Sequence, residues 1–322
     1  MPFAAPLRVL RVAVPLAVLA ATASAAPTFD VAREDRWKPG DVVTVTTTED
    51  RYQEIRFPAR EAEMPSTPRR LKAKVVAVEA CLETDADGHR TRTRVWFPTW
   101  SFDTGTTKDE SLQGAVIEVK GRGKDRTHAL VGAPTAPTKP AAAWLARTYG
   151  AGRPDGEGVR RAWLPKVAVA IGDEWGADLG AVLDGLWGAE QIDRSKATSS
   201  AKLSKVDAGR AEIACVAALP VAALPAGKGG RAVPWSKGGT YAVKGTLSVG
   251  TEGRLVESLF ATSSTLEGEA TSGENVVAVR HQVDRRVEVK VGGEMIDPAK
   301  VPPLPTSPDA PKDPKAPDTP PK

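Results

Sequence analysis

Residues 277–291 read VAVRHQVDRRVEVKV, and the alternation within this stretch decides the fold class. Six valines recur at odd positions, whereas charged side chains such as Arg280, Glu288 and Lys290 occupy even positions. Because successive side chains of a β-strand point to opposite faces, the stretch predicts one long strand with an apolar and a solvated face. His281 falls on the apolar face, where we expect an inward, hydrogen-bonded imidazole.

The same period of two recurs along most of the chain and predicts a mainly β protein. Turn residues such as Asp87-Gly88 separate the alternating runs, as hairpin connections require. In chain order the other predicted strands are 70–83, 89–97, 113–120, 126–131, 210–219, 239–249 and 254–261. Helix is scarce. The best candidate is 139–149, with Pro140 in its first turn and Gly150 as a stop, while 177–186 reads equally as helix or strand.

A set of landmarks repeats along the chain with a period near 130 residues. Gly40-Asp41 precedes a strand-like run, and Gly172-Asp173 recurs 132 residues later. Leu112-Gln113-Gly114 and Val243-Lys244-Gly245 each precede a turn, at an offset of 131 residues. The ordered set predicts an internal duplication. We therefore expect two related antiparallel meanders, forming a large curved sheet or tandem half-barrels, with one short connecting helix.

The predicted organisation has five parts, and the last is a proline-rich tail. In that tail proline alternates with Asp, Lys and small residues, which cannot bury enough apolar surface to offset the entropy of ordering. The parts are a signal peptide at 1–25, a first β repeat at 26–138, a helix and linker at 139–160, a second β repeat at 161–296 and a disordered tail at 297–322.

The first residues have the pattern of a cleavable export signal. Arg8 and Arg11 precede an uncharged run over 12–26, which closes with the small-x-small sequence Ala23-Ser24-Ala25. Cleavage is expected after Ala25 or Ala26, which predicts a periplasmic or secreted protein. The apolar run is shorter than the roughly 20 residues that a membrane-spanning helix needs, and we expect no transmembrane segment in the mature chain.

Charge and cysteine content narrow the class of protein further. The chain has 44 basic and 40 acidic residues, and removal of the leader takes away two arginines. So small an excess argues against nucleic-acid binding, which needs a concentrated basic surface. Cys81 and Cys215 form an even pair, so an oxidising compartment would permit one disulfide, the alternative being two small buried thiols.

The sequence shows no recognisable catalytic or cofactor-binding motif. Its three histidines lack the paired spacing of a zinc site, and no Gly-x-Ser-x-Gly elbow is present. We therefore predict no catalytic residue, no metal and no cofactor. Carboxylates are common, so a hydrolase with a dispersed site stays open as an alternative.

Four aromatic side chains crowd into residues 96–102, which read WFPTWSF. Such a group can form a stacking platform for a sugar ring or a lipid, or it can pack into a core or cover a rim. The candidate aromatic binding rim consists of Trp96, Phe97, Trp100 and Phe102.

Two short motifs in the second half carry a family resemblance. Residues 163–175 hold Trp163-Leu164-Pro165, then valines, then Gly172-Asp173-Glu174-Trp175, and 239–245 read GTYAVKG. Over roughly 160–265 the chain resembles uncharacterised secreted β-rich bacterial proteins, common in planctomycetes. The resemblance implies a periplasmic or secreted location and a β fold, and it implies no activity.

The expected function follows from these exclusions. We expect an exported, non-enzymatic envelope protein that binds a hydrophobic or lipid-like ligand on the concave face of its sheet. The alternatives are a structural or interaction protein that contacts cell-wall or surface components, and the dispersed-site hydrolase. The identity of the ligand or partner is not predicted.

Overall fold

The computed structural model describes residues 26–31, 36–60, 62, 64–66, 68–151, 161–182, 191–224, 233–251, 257–272 and 275–303. The predicted signal peptide and most of the predicted tail lie outside these residues. The strands of the first half are β1 (Thr28–Phe29), β2 (Val42–Arg56), β3 (Arg69–Thr84), β4 (Arg90–Asp103), β5 (Lys108–Asp109), β6 (Val116–Lys120) and β7 (Thr127–Gly132). Those of the second half are β8 (Val169–Ala170), β9 (Glu174–Trp175), β10 (Thr198–Asp207), β11 (Arg210–Pro220), β12 (Ala223–Leu224), β13 (Val233–Gly250), β14 (Ser258–Ser272) and β15 (Asn275–Val291). The helices are α1 (Lys139–Tyr149) and α2 (Leu179–Val182), and single 3₁₀ turns lie at Pro58–Arg60, Gly123–Asp125 and Pro298–Lys300.

Thirteen of these described strands form one antiparallel sheet, and β1 and β8 form a separate ladder. The order along the sheet is β7-β6-β4-β3-β2-β15-β14-β13-β11-β10-β9, with β5 beside β4 and β12 beside β13. The ends of this order, β7 and β9, do not pair with each other, so the sheet is not closed into a barrel. The mainly β, antiparallel meander prediction is therefore confirmed, as one large sheet instead of tandem half-barrels.

The centre of the sheet joins the first long strand of the chain to the last. Strands β2 and β15 pair continuously from Val43 opposite Val291 to Arg56 opposite Ala278, with no register shift. Strand β15 contains the alternating stretch 277–291, and it is hydrogen-bonded on both sides, to β2 and β14.

The order of the strands repeats along the sheet. The first half contributes β2, β3, β4, β6 and β7 as a meander, and the second half contributes β9, β10, β11, β13 and β14 in the same way. Taken in chain order, each strand of the second set corresponds to one strand of the first set and lies six positions from it in the sheet. Because neighbouring strands of an antiparallel sheet run in opposite directions, two strands that are an even number of positions apart run in the same direction. Strand β15 lies between the two sets and has no counterpart in the sheet described.

The two Gly-Asp landmarks have the same local structure. The Gly40 amide donates to the Cys81 carbonyl and the Cys81 amide to that of Asp41, while Gly172, Leu203 and Asp173 make the same pair of bonds. Both glycines adopt a positive φ, 93° and 98°, which a residue with a Cβ rarely adopts. Each landmark therefore lies at the start of a strand, and its hydrogen bonds join that strand to the next one in the chain.

Two large hydrophobic cores pack against the same face of the sheet, and a small third cluster is formed by Trp37, Val43, Cys81 and Val289. Side chains directly paired across an antiparallel sheet point to one face, and one such row runs from Val75 through Val287 to Leu247. Val75 belongs to the first core, with Phe97, Trp100 and Ile117. Helix α1 covers that core with Ala141, Leu145 and Tyr149. Leu247 belongs to the second core, with Leu203, Ile213, Tyr241 and Trp163.

The structure describes both predicted helical segments at least in part, and only the start of the predicted tail. Helix α1 begins and ends where the sequence predicts, with the Thr138 side chain capping its first turn and Gly150 at its end. The segment 177–186 has one helical turn, α2, and its last four residues lie outside the described part of the chain. Of the predicted tail, residues 297–303 lie within the described part of the chain, where Pro298–Lys300 form a 3₁₀ turn and the Pro302 carbonyl oxygen would lie 2.6 Å from a Cβ added at Gly132. Neither described α-helix has the length and apolarity needed to cross a bilayer.

We expect hydrogen exchange to be slowest at the centre of the sheet, because opening β2 or β15 breaks ladders on both sides. Hydrogen-exchange mass spectrometry should find peptides covering 44–52 and 280–290 the most protected. Peptides covering the edge strands, 127–132 and 172–176, serve as the internal reference and should exchange fastest. Equal protection at the centre and at the edges would contradict this arrangement.

Candidate functional site

Five adjacent strands, β3, β2, β15, β14 and β13, line an open groove of about 760 Å³, which we call the central groove. Ligand pockets in proteins commonly have volumes of roughly 300–1,000 Å³. Because one groove touches five neighbouring strands, the sheet is concave there. The lining residues are Thr48, Glu49, Asp50, Lys72, Ala73, Lys244, Gly245, Thr246, Ala261, Thr262, Ser263, Asp284, Arg285 and Arg286.

One cross-strand row lies at the middle of this lining. Ala73 pairs with Glu49, Glu49 with Arg285, Arg285 with Thr262, and Thr262 with Gly245. The row continues into Cys215, which is buried in the second core. Glu49, Arg285 and Thr262 therefore point to the same face as the cores and interrupt it with polar groups.

The row has a small residue at each end, Ala73 and Gly245. The groove is therefore open above the middle of the row. At Gly245 an added Cβ would come within 2.8 Å of the Ala261 carbonyl oxygen and 2.9 Å of the Thr262 methyl group. Glycine is thus required where β13 and β14 approach each other beside the groove.

Glu49 and Arg51 form an ion pair next to the groove. The Arg51 guanidinium donates to the Glu49 carboxylate at 2.8 Å, and the two side chains are 35% and 17% exposed. Residues two positions apart on a strand point to the same face of the sheet. Arg51 therefore lies on the same face as Glu49 and the rest of the central row. The Glu49 carboxylate, which faces Arg285, is therefore already hydrogen-bonded to Arg51.

Arg285 differs from the other charged groups on this face. Within the described residues its side chain makes no hydrogen bond and no salt bridge, although it lies directly across from Glu49. Surrounding protein lowers the pKa of Arg285; the Glu49 charge opposes this shift and the Arg51 charge adds to it. The side chain nevertheless stays accessible to solvent, which places it inside a concave surface and not within a packed core. An arginine keeps its proton in such a setting.

The other carboxylates of the lining have partners on the opposite face of the sheet. Asp50 accepts two hydrogen bonds from Arg70, at 3.0 and 2.8 Å, and these chiefly hold its pKa below the ordinary value. Asp284 accepts a hydrogen bond from the Gln282 amide at 2.8 Å. Each acidic group of the groove is thus satisfied, whereas Arg285 is not.

His281 lies two rows from Arg285 on the same face, and it is 3% exposed. The Tyr241 hydroxyl lies 3.1 Å from its Nδ1 atom, so the histidine is inward and hydrogen-bonded, as predicted. Burial, with a contribution from the charge of Arg51, lowers the pKa of His281 to about 4. The imidazole is therefore neutral at neutral pH and adds no charge near the groove.

Three of the four residues of the candidate aromatic binding rim, Phe97, Trp100 and Phe102, belong to the first core, and this corrects the surface interpretation for them. Phe97 and Trp100 are 0% and 1% exposed, and the Trp100 ring lies 4.5 Å from Phe102 and 4.6 Å from Trp144 of α1. Trp96 lies in the row of Val78 and Thr44, on the opposite face from Trp100. The alternation of 96–102 could not show that α1 covers one side.

Cys81 and Cys215 are free thiols in the structure, so the permitted disulfide is not formed. Both are buried, Cys81 beside Trp37 and Val43 and Cys215 in the second core. They belong to β3 and β11, five strand positions apart in the sheet. At about 4.8 Å per position, the path along the sheet far exceeds the Cα separation that a disulfide tolerates.

Sequence reasoning missed Glu49 and Arg285, although a signal for each is present. Arg285 takes an odd position between Val283 and Val287, on the face that the other odd residues make apolar. Glu49 and Arg51 likewise take the odd positions that follow Val43 and Val45 on β2. In the described part of the chain, no group of three or more His, Cys, Asp or Glu side chains is arranged to hold a metal ion.

No protein-family model matches the chain, and no curated protein sequence does. The chain is similar to a solved structure described as "Lipid-protein interactions in lipovitellin", with a TM-score of 0.37 and 7% sequence identity. The match covers 81% of this chain and 26% of that one, so the chain spans about a quarter of its length.

Replacing Trp100 by alanine should destabilise the protein by about 3–5 kcal/mol, because the ring fills the first core. Trp96→Ala is the matched control and should cost about 1 kcal/mol, since its ring is partly exposed on the other face. Urea denaturation followed by circular dichroism measures both. Equal losses of stability for the two variants would show that Trp100 is not a core residue.

Iodoacetamide should leave the folded protein unmodified and add two groups to the unreduced protein in denaturant. The thiolate is the reactive form, and burial raises the pKa of Cys215 to about 12. Intact-mass spectrometry counts the added groups. A denatured, unreduced chain that takes up none would mean that the cysteines are bonded to each other.

Proposed function

We propose that this protein is an exported, non-enzymatic binding protein that holds a small amphipathic ligand in the central groove. The observation that carries the proposal is the groove itself, which has the volume of a ligand site and lies on five strands of one sheet. Sites built on strands hold their side chains more firmly than sites on loops, and a binding protein gains affinity from that rigidity.

The lining supports an amphipathic ligand over a purely apolar one. An aliphatic molecule placed over Glu49 and Arg285 would remove their hydration without replacing it, which is costly for charged groups. Val283 and Val287 flank Arg285 on the same face and are partly exposed. A ligand with a polar head on the central row and an apolar body along these valines satisfies both kinds of surface, so a lipid-like ligand fits if its head is polar.

The chemistry of the groove supports binding over catalysis. Its lining contains no histidine and no cysteine, and the carboxylates of Glu49, Asp50 and Asp284 are all engaged by neighbours. The signal-like sequence at 1–25 supports export, and the small charge excess supports a partner other than nucleic acid.

Native mass spectrometry of the protein purified from its own envelope tests this function. We expect a non-covalent adduct that disappears on denaturation. Thr262→Tyr should remove the adduct, because the larger side chain would fill the middle of the groove. Thr265→Tyr, on the same strand but on the opposite face and outside the lining, is the control and should keep it. A wild-type protein without an adduct, or an adduct that survives in Thr262→Tyr, would refute the proposal.

A further inference from the structure

We propose that the ligand of the central groove is a singly charged anion and that Arg285 binds its acidic group. This inference rests on the proposed function and adds the sign of the charge and the residue that recognises it. The ligand class is an amphiphile whose head is an oxyanion, such as a carboxylate or an alkyl phosphate monoanion.

The position of Arg285 is the first argument. It occupies the apolar face of a central strand, with Val283 and Val287 on either side along β15 and with cores on both flanks of the sheet. The side chain is exposed to solvent, so water satisfies its donors in the free protein, and an oxyanion bound in the groove would replace that water. The described residues provide no hydrogen-bonding partner for Arg285.

The state of Glu49 is the second argument. Cross-strand pairing places Glu49 opposite Arg285, so it is the natural counter-ion. Its carboxylate instead accepts the hydrogen bond from Arg51, which makes the pair neutral and leaves the Arg285 donors free. A guanidinium presents its N–H groups as a planar fork that fits two oxygens of one oxyanion.

The charge balance of the face gives the valence of the ligand. Glu49 and Arg51 cancel, and His281 is neutral at neutral pH, so Arg285 leaves one net positive charge among these groups. A monoanion neutralises that charge. A dianion would bring a second negative charge close to Glu49, whereas the other cations of the lining point to the opposite face, so the repulsion would offset the gain. These cations are Lys72, Lys244 and Arg286.

Calorimetric titration of the folded, full-length protein with dodecanoate, dodecanol and acetate tests this inference. The first two probes share a chain of the same length and differ in charge, whereas acetate has the charge without the chain. Charge-assisted hydrogen bonds contribute enough to predict a preference of about 10- to 100-fold for dodecanoate over dodecanol. The preference should vanish in Arg285→Gln and survive in part in Arg285→Lys, which keeps a charge but loses the fork.

Arg280→Gln is the matched control, because Arg280 lies on β15, points to the face opposite Arg285 and is outside the lining of the central groove. It should bind dodecanoate as the wild type does. Arg285 makes no hydrogen bond with the described residues, so its replacement should leave the unfolding transition unchanged, and thermal denaturation checks this.

The possible outcomes separate this inference from the proposed function. Tight binding of acetate would assign the site to small free acids, and weak binding of acetate beside tight binding of dodecanoate would assign it to amphiphiles; both support Arg285 as the anion site. An unchanged preference in Arg285→Gln, its loss in Arg280→Gln, or no wild-type preference for either anion over dodecanol overturns the inference. The proposed function survives those results if the native adduct still depends on Thr262.

Discussion

The pairing of β2 with β15 is the interaction on which the rest of the sheet depends. It joins two meanders that are otherwise consecutive in sequence and separate in their cores. Each meander forms from neighbouring strands through local hairpins, but this one ladder connects residues about 240 positions apart in the chain. Because contacts of such long range require a large loss of chain entropy, the continuous register of the ladder matters for the stability of the whole sheet.

The same pairing creates the central groove. At one end β2 and β15 bury Val43 and Val289 in a small cluster of their own, but farther along the two strands the face between the two large cores is open. There β2 and β15 carry Glu49, Arg51 and Arg285 where other strands carry valine and leucine. Polar groups are tolerated at this position since the concave surface stays open to solvent and the carboxylate is paired. The site and the junction of the two halves are therefore one feature of the fold.

Much of the fold could be predicted because the direction of a side chain along a strand is a local property. Alternation correctly placed the strands around Asp87-Gly88 and along 277–291, and it placed His281 on the inner face. It failed for Phe97 and Trp100, where knowing the face of each ring does not reveal that α1 covers them. It also could not decide the state of Cys81 and Cys215, because the distance between two strands depends on the order of the sheet.

The sequence by itself determined the class of the protein: period-two strands, one helix between two sets of landmarks, and a pattern typical of export. Only the tertiary structure decided which strands are neighbours, and with them the site. Arg285 is visible in the sequence as a charge among valines, but its meaning depends on Glu49 lying opposite and on Arg51 occupying that carboxylate. Strand registry over hundreds of residues sets those relations, and no local pattern encodes them.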